Sequence, residues 1–300
     1  MPALPNLLDK LLHRNRAFPC QSTRIASKAG MSEDRASLAR KRNNGGCVLQ
    51  EDQHGGVVLA ARLVQSRTVI APDLRGMGLS APVDEGFDKK NQAEDVAGVM
   101  DALNVPDGAV IAHDIGNMVA FAFAAQHPGR VTRLVMMDAP VPGVGPWDEI
   151  LKHPLLWHFR FGGPDMERLV AGRERIYLDR FWNEFAADPK RFGEAARRHY
   201  ARLYARPGNM RAGFLQFLAF DQDVMDNRAF LASGRLKMPV LAIGGEKSLG
   251  ATMAVVMRSA ADDVREIIIR DSGHWLMEEQ PEATIEAIRS FLDGAQSPSR

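Results

Sequence analysis

From Arg67 onward the chain alternates between two patterns. Short apolar or β-branched runs bounded by Gly, Pro or Asp give way to stretches with apolar residues three and four apart, and the exchange repeats. "RTVIAPDLRGMGLS" is a strand that stops at Pro72 and passes into a Gly-punctuated loop, and "QAEDVAGVMDALNV" is an amphipathic helix. "GAVIAHD" and "RVTRLVMMDAP" are the next strands, "MPVLAIGGE" and "VREIIIRDSGH" give two more, and "TIEAIRSFL" closes the chain as a helix. This order predicts the α/β class: a mostly parallel sheet with flanking helices. Residues 147–232 carry aromatic and charged side chains at helical spacing without strand runs, and read as an inserted helical cap. That leaves 59–146 and 233–300 as the α/β core.

Residues 1–58 stand apart. "MSEDRASLARKRNNGGCVLQEDQHGG" shows no strand alternation, and residues 10–31 contain basic residues but no Asp or Glu. Such composition matches a transit peptide or a disordered start, so an atypical segment that supplies no strand is expected here.

The 300 residues, 45% of them hydrophobic, suffice for one large domain or a core with an insertion. Lys plus Arg (38) and Asp plus Glu (37) nearly cancel, so no overall field draws nucleic acid or an anionic membrane, and a small-molecule substrate is the expected partner. Cys20 and Cys47 lack metal-ligand spacing and disulfide logic, which suits a reducing compartment and predicts a cytoplasmic protein without bound metal. "LPNLLDKLL" is broken by Asp9 and Lys10, and no apolar run reaches the length of a membrane span. A homodimer stays open.

Within "VIAHDIGNMVAFAFAAQHP" the residues Ala109 to Ala112 end a buried strand, and Asn117 to Gln126 form a helix apolar all round. Asp114 lies on the turn between them, and Gly116 relieves crowding where strand, turn and helix meet. A nucleophile elbow, G-x-S-x-G in its usual form, exposes its central side chain in this way. Here Ala112 replaces the first Gly and Asp the Ser. A lone Asp before a helix is equally a favoured N-cap, so other residues must decide.

Two of them do. "MDAPVPG" places Asp138 after the strand that follows the elbow helix, and "DSGHWLMEEQP" places His274 on a loop after the last strand. All three residues then sit at strand ends of one parallel sheet, where they can converge on a cleft. In that arrangement Asp114 attacks, His274 activates water, and Asp138 orients the imidazole.

With these residues the chain resembles the α/β-hydrolase fold, and within it the epoxide hydrolases and related dehalogenases with an aspartate nucleophile. The likeness runs from about Arg67 to Leu292 through "VIAPDLRGMGLS", "AHDIGN", "MDAPVPG", "LLWHFRF", "KMPVLAIGGEKS" and "SGHWLMEEQP". In many relatives the relay acid follows the later strand, where Ser248 stands here; "MDAP" looks like a branch in which Asp138 takes that role, with Glu246 the alternative. The resemblance implies hydrolysis of an epoxide to a diol through an alkyl-enzyme ester, without metal or organic cofactor. The Ile115 backbone N–H would serve as one oxyanion donor. His158 would hold the leaving oxygen, and Trp157, Gln216 and Phe217 would complete the leaving-group and substrate site. The implied alternatives are a haloacetate or haloalkane dehalogenase, with Trp157 and His158 holding halide, and a non-catalytic binding protein of the same fold.

Two departures stand out. Where the family carries a cap tyrosine, "AGFLQFLAF" has Gln216 and Phe217, while Tyr200 and Tyr204 lie on the preceding helix. The family's early His-Gly-x-Pro should fall near Cys47 and Val48, yet the only His-Gly, His54 and Gly55, comes later and lacks the proline. Either residues before about Val58 are foreign to the fold, the favoured reading, or a rebuilt loop brings Gly55 and Gly56 to the oxyanion site.

Overall fold

The computed structural model describes residues 45–49, 63 and 68–294. Its sheet has six strands: β1 (Gly45–Leu49), β2 (Thr68–Ile70), β3 (Gly108–His113), β4 (Val131–Met137), β5 (Val240–Gly245) and β6 (Val264–Ile269). They run parallel throughout, in the order β2-β1-β3-β4-β5-β6. Strand order reverses between β1 and β3, so the crevice outside their carboxyl ends is where ligands bind in open α/β sheets.

The central strands β3 and β5 are buried at every position. This is why they appear in sequence as unbroken apolar runs rather than as alternation. Helix α1 (Lys89–Ala102) packs beside α2 (Ile115–Gln126), the helix that follows β3. Every residue of α2 from Ile115 to Ala124 is buried, Phe121 and Phe123 among them. Removing each of those rings from water stabilises the fold by roughly 1.5–3 kcal/mol.

Between β4 and β5 the chain is helical: α3 (Trp147–Ile150), a 3₁₀ turn at Pro154–Arg160, α4 (Pro164–Val170), α5 (Glu174–Phe185), α6 (Glu194–Tyr204), α7 (Asn209–Leu218) and α8 (Phe220–Ser233). After β5 come α9 (Thr252–Arg258), β6, α10 (Leu276–Glu279) and α11 (Pro281–Leu292).

The sheet corrects one expectation. Gly45–Leu49 lies in the stretch read as unable to supply a strand, yet it pairs with both β2 and β3, Leu49 opposite Ala112. A five-residue strand flanked on both sides by neighbours needs no alternation, so periodicity does not reveal it. Residues 1–44, with the disorder expected of them, and Gly55 and Gly56, the alternative oxyanion donors, lie outside the described residues.

Among the described residues no helix is long and apolar enough to cross a membrane, and no group of three or more His, Cys, Asp or Glu is placed to hold a metal ion.

Candidate active site

Asp114 follows β3 directly and has φ 52° and ψ −127°, a conformation that side-chain-bearing residues rarely adopt. It stands at the N-cap position of α2, but its carboxylate makes no capping hydrogen bond to the helix. Asp138 follows β4, also at positive φ (46°), and its side chain is fully buried. Such strain persists only where the surroundings enforce it.

At Asp138 the enforcement is visible. Asn117, buried in the first turn of α2, accepts from the Met137 N–H at 3.0 Å and donates to the carbonyls of Met137 and Ala139 at 2.9 and 3.0 Å. The elbow helix thus grips the chain on both sides of Asp138. Asp138 Oδ1 accepts from the N–H groups of Gly245 (2.7 Å) and Leu249 (3.2 Å), which leaves Oδ2 for His274 Nδ1 at 3.1 Å. Nε2 of the same imidazole lies 3.8 Å from Asp114 Oδ2. The three expected residues therefore meet, with His274 between the two carboxylates. Glu246, the other acid considered for Asp138's place, instead turns to Lys247, Arg270 and the Asp271 N–H.

Close backbone approach makes this possible. A Cβ at Gly245 would overlap the Gly273 carbonyl, and one at Gly273 would overlap the Phe185 carbonyl, so neither position tolerates a side chain. Buried Glu279 clamps the same loop: Oε1 accepts from Gly273 N–H at 2.9 Å, and Oε2 from Ala187 and Asp188 N–H at 2.7 and 3.1 Å. His274 N–H donates to the Phe185 carbonyl at 2.8 Å.

The electrostatics follow from burial and partners. Burial works against a charge on His274, but hydrogen bonds and attraction from Asp114 and Asp138 together outweigh it and raise its pKa to about 10. His113, its ring tilted 37° to that of His274 with centroids 4.5 Å apart, is driven the other way, to about 3, by burial and then by repulsion from His274. It is neutral, and its Nε2 contacts the His274 carbonyl at 2.8 Å. His158 falls to about 4 through burial and then the nearby charge of Arg180.

Asp114 opens onto a cavity whose other walls are mostly aromatic, among them Phe181, Trp182, Phe214, Phe217 and Trp275. No Arg or Lys lines it, and its hydroxyl-bearing residues are Tyr177, Tyr200 and Tyr204. Tyr200 and Tyr204 thus reach the cavity from α6, which the sequence pattern does not show. Of the expected substrate residues, Phe217 lines the cavity. His158 is buried, ringed edge-on by Phe159, Phe181, Phe185 and Phe217, and near enough to Asp114 to feel its charge.

The other two are corrected. Trp157 is 46% exposed with its ring under the Arg180 guanidinium, and Gln216 is turned toward Gln92, whose Nε2 donates to its Oε1 at 2.8 Å. Neither lines the cavity, and His158 lies behind its wall rather than in it. The Ile115 N–H stands at the start of α2, next to Asp114.

A family model of the α/β hydrolase fold matches residues 51–281. The chain belongs to this family. The soluble epoxide hydrolase of Corynebacterium sp. (strain C12) is 32% identical over 238 residues, covering 77% of this chain and 82% of that protein. Among solved structures, Cfl2 from Burkholderia cenocepacia superposes with a TM-score of 0.78 at 32% identity, over 85% of this chain and 90% of its own. The epoxide hydrolase CorEH gives 0.77 at 28% identity, over 86% and 93%. An α/β-fold hydrolase with epoxide hydrolases among its relatives is thus an enzyme, acting on a small molecule.

Proposed function

We propose that the chain hydrolyses epoxides to diols with Asp114 as nucleophile. The observation that carries this reading is the placement of His274 between Asp114 and Asp138, with Asp114 in the wall of a largely aromatic cavity. Asp114 Oδ attacks a ring carbon, forming a C–O ester bond as the epoxide C–O bond breaks and its electron pair passes to oxygen. That oxygen departs on the side away from Asp114, facing the helical insertion, which acts as the cap. His158 offers it a hydrogen bond, and Tyr177, Tyr200 and Tyr204 supply the phenols that position 217 lacks.

Esterification removes the charge of Asp114, one of the two carboxylates that hold the proton on His274. The imidazolium then releases its proton, and water carries it to the alkoxide. Neutral His274 next takes a proton from a second water, whose hydroxide adds to the ester carbonyl. The Ile115 N–H faces the resulting oxyanion. Collapse expels the diol oxygen, which collects the acid proton of Asp114, and the resting pair of carboxylate and imidazolium returns. A serine in place of Asp114 could not turn over, because its alkyl product is an ether without a carbonyl for water to attack.

The cavity favours an uncharged epoxide over a haloacetate. A carboxylate substrate would be desolvated there without a cation among the lining residues, at a cost of several kcal/mol. The test is incubation of the full chain with a panel of aryl and alkyl epoxides alongside fluoroacetate and chloroacetate, reading diol, halide and intact mass. Diol formation with a transient alkyl adduct on Asp114 is expected. Halide release without diol, or diol formation by Asp114→Asn free of deamidation, would refute the reading.

A further inference from the structure

His158 carries hydrogen-bond contacts only at Nδ1 among the described residues, and these conflict with each other. The Leu155 carbonyl lies 3.1 Å from Nδ1 and Arg180 Nη1 lies 3.3 Å from it. A guanidinium only donates. If Nδ1 carried a proton it would face the Arg180 N–H donor to donor; if it carries none, its lone pair faces the carbonyl oxygen. Arg180 resolves this by bridging both acceptors, with Nη2 donating to the Leu155 carbonyl at 2.5 Å and Nη1 to Nδ1. The guanidinium is flanked on its other sides: Cζ lies 4.4 Å from the Trp157 ring centroid, and Nε is ion-paired with Glu184 at 2.9 Å. Two adjacent acceptors held by one planar donor leave the imidazole proton a single place, on Nε2.

We propose that Arg180 is a positioning residue that locks His158 as its Nε2–H tautomer and backs the ring with positive charge, making Nε2–H the donor to the oxygen that leaves the substrate. The inference rests on the epoxide-opening reading above. Charge developing on that oxygen is felt through the ring by the guanidinium, in a site walled by Phe159, Phe181, Phe185 and Phe217, where little solvent screens it. The ring stays neutral near pH 7, because burial and then Arg180 hold its pKa at about 4. Without Arg180 the Leu155 carbonyl and Nδ1 can remain neighbours only if Nδ1 takes the proton, which strips Nε2 of it.

The decisive measurement is the tautomer of His158 at pH 7, read from long-range ¹H–¹⁵N correlation spectra of the ¹⁵N-histidine-labelled full chain, with His158→Gln to assign the signal. The wild type is expected to show a protonated Nε2 and an accepting Nδ1. Arg180→Met should move the proton to Nδ1, and Arg180→Lys, which restores a donor, should return it. In single-turnover assays Arg180→Met should slow ester formation by about 100–1,000-fold, the scale of one preorganised donor, leave ester hydrolysis unchanged, and have no further effect in a His158→Gln background. An Nδ1-protonated His158 in the wild type overturns the proposal whether or not the variants fold. So does an Arg180→Met protein that keeps the Nε2–H tautomer, or a loss that adds in full to that of His158→Gln. Absence of any alkyl adduct on wild-type Asp114 would refute the epoxide reading instead, and the spectra tell the two failures apart.

Discussion

Replacing Asp138 by Asn keeps the shape of the side chain and reverses one of its hydrogen bonds. Two N–H groups, from Gly245 at 2.7 Å and Leu249 at 3.2 Å, point at Oδ1, so the amide oxygen must take that place. The NH₂ then stands where Oδ2 was, 3.1 Å from His274 Nδ1. Nδ1 keeps the Asp138 backbone carbonyl, 2.9 Å away, as its acceptor but loses the carboxylate charge that stabilises the imidazolium. His274 is then a weaker base toward water. Weakening the general base costs up to about 10²–10⁴-fold in the step that needs it, or roughly 3–5 kcal/mol of transition-state stabilisation. Ester formation needs no base and should be slowed far less. In rapid-quench single turnovers with an aryl epoxide, Asp138→Asn should therefore build up a stoichiometric alkyl adduct that decays slowly, while the wild type shows only a transient one. Turnover within about threefold of wild type, with no trapped ester, would refute the assignment of Asp138 as the acid that orients His274.

The other expectations concern the same machinery and its supports. Asp114→Asn should abolish turnover, because an amide has no anionic oxygen to attack carbon; mass spectrometry controls for deamidation. His274→Ala should still be alkylated and then stall, so a substrate consumed by the wild type but leaving no adduct on the variant would count against the two-step division. Glu279→Ala should lower stability by roughly 1–3 kcal/mol, measured by urea unfolding, since the buried Gly273 N–H and the part-buried N–H groups of Ala187 and Asp188 lose their acceptor. Folded His113 and His158 stay neutral down to about pH 3 and 4, whereas the unfolded chain protonates them near the ordinary histidine value of 6.5. Stability should thus fall as pH drops below 6.5, by roughly 1.4 kcal/mol per pH unit per histidine, and His113→Asn should flatten that slope. His274, raised to about 10, acts with the opposite sign: its contribution is full below pH 6.5 and is lost as pH rises through 10.

What could be read from the sequence was what local rules dictate. Asp114 stands between an apolar run and a small-residue helix, and Asp138 and His274 follow strands, so one parallel sheet brings them to one edge. The buried strands were legible for the same reason, as continuous apolar runs. β1 was not, because five residues beginning Gly-Gly carry no pattern of their own and become a strand only through both neighbours. Gln216 and Trp157 look like binding residues beside His158 and Phe217, but a partner 124 residues away claims the first, and the Arg180 guanidinium lies over the second. Asn117, Glu279 and Arg180 escaped notice for the converse reason. Each acts on backbone or ring atoms that only tertiary packing brings near, and hydrophobic periodicity does not register such partners.

The helical insertion is fastened to the core on two sides. Phe185, Ala187 and Asp188 hold the His274 loop directly and through Glu279. At the other side buried Lys89 donates to the Gln216 carbonyl at 2.6 Å and meets Asp223 at 3.1 Å, while Gln92 bonds Gln216. A roof pinned at both eaves has no free edge to lift, and prying at the first would drag the histidine out of line. The motion expected to admit a molecule is therefore rotation of single side chains in the wall, Met210 among them, on a faster timescale than the swing of a domain.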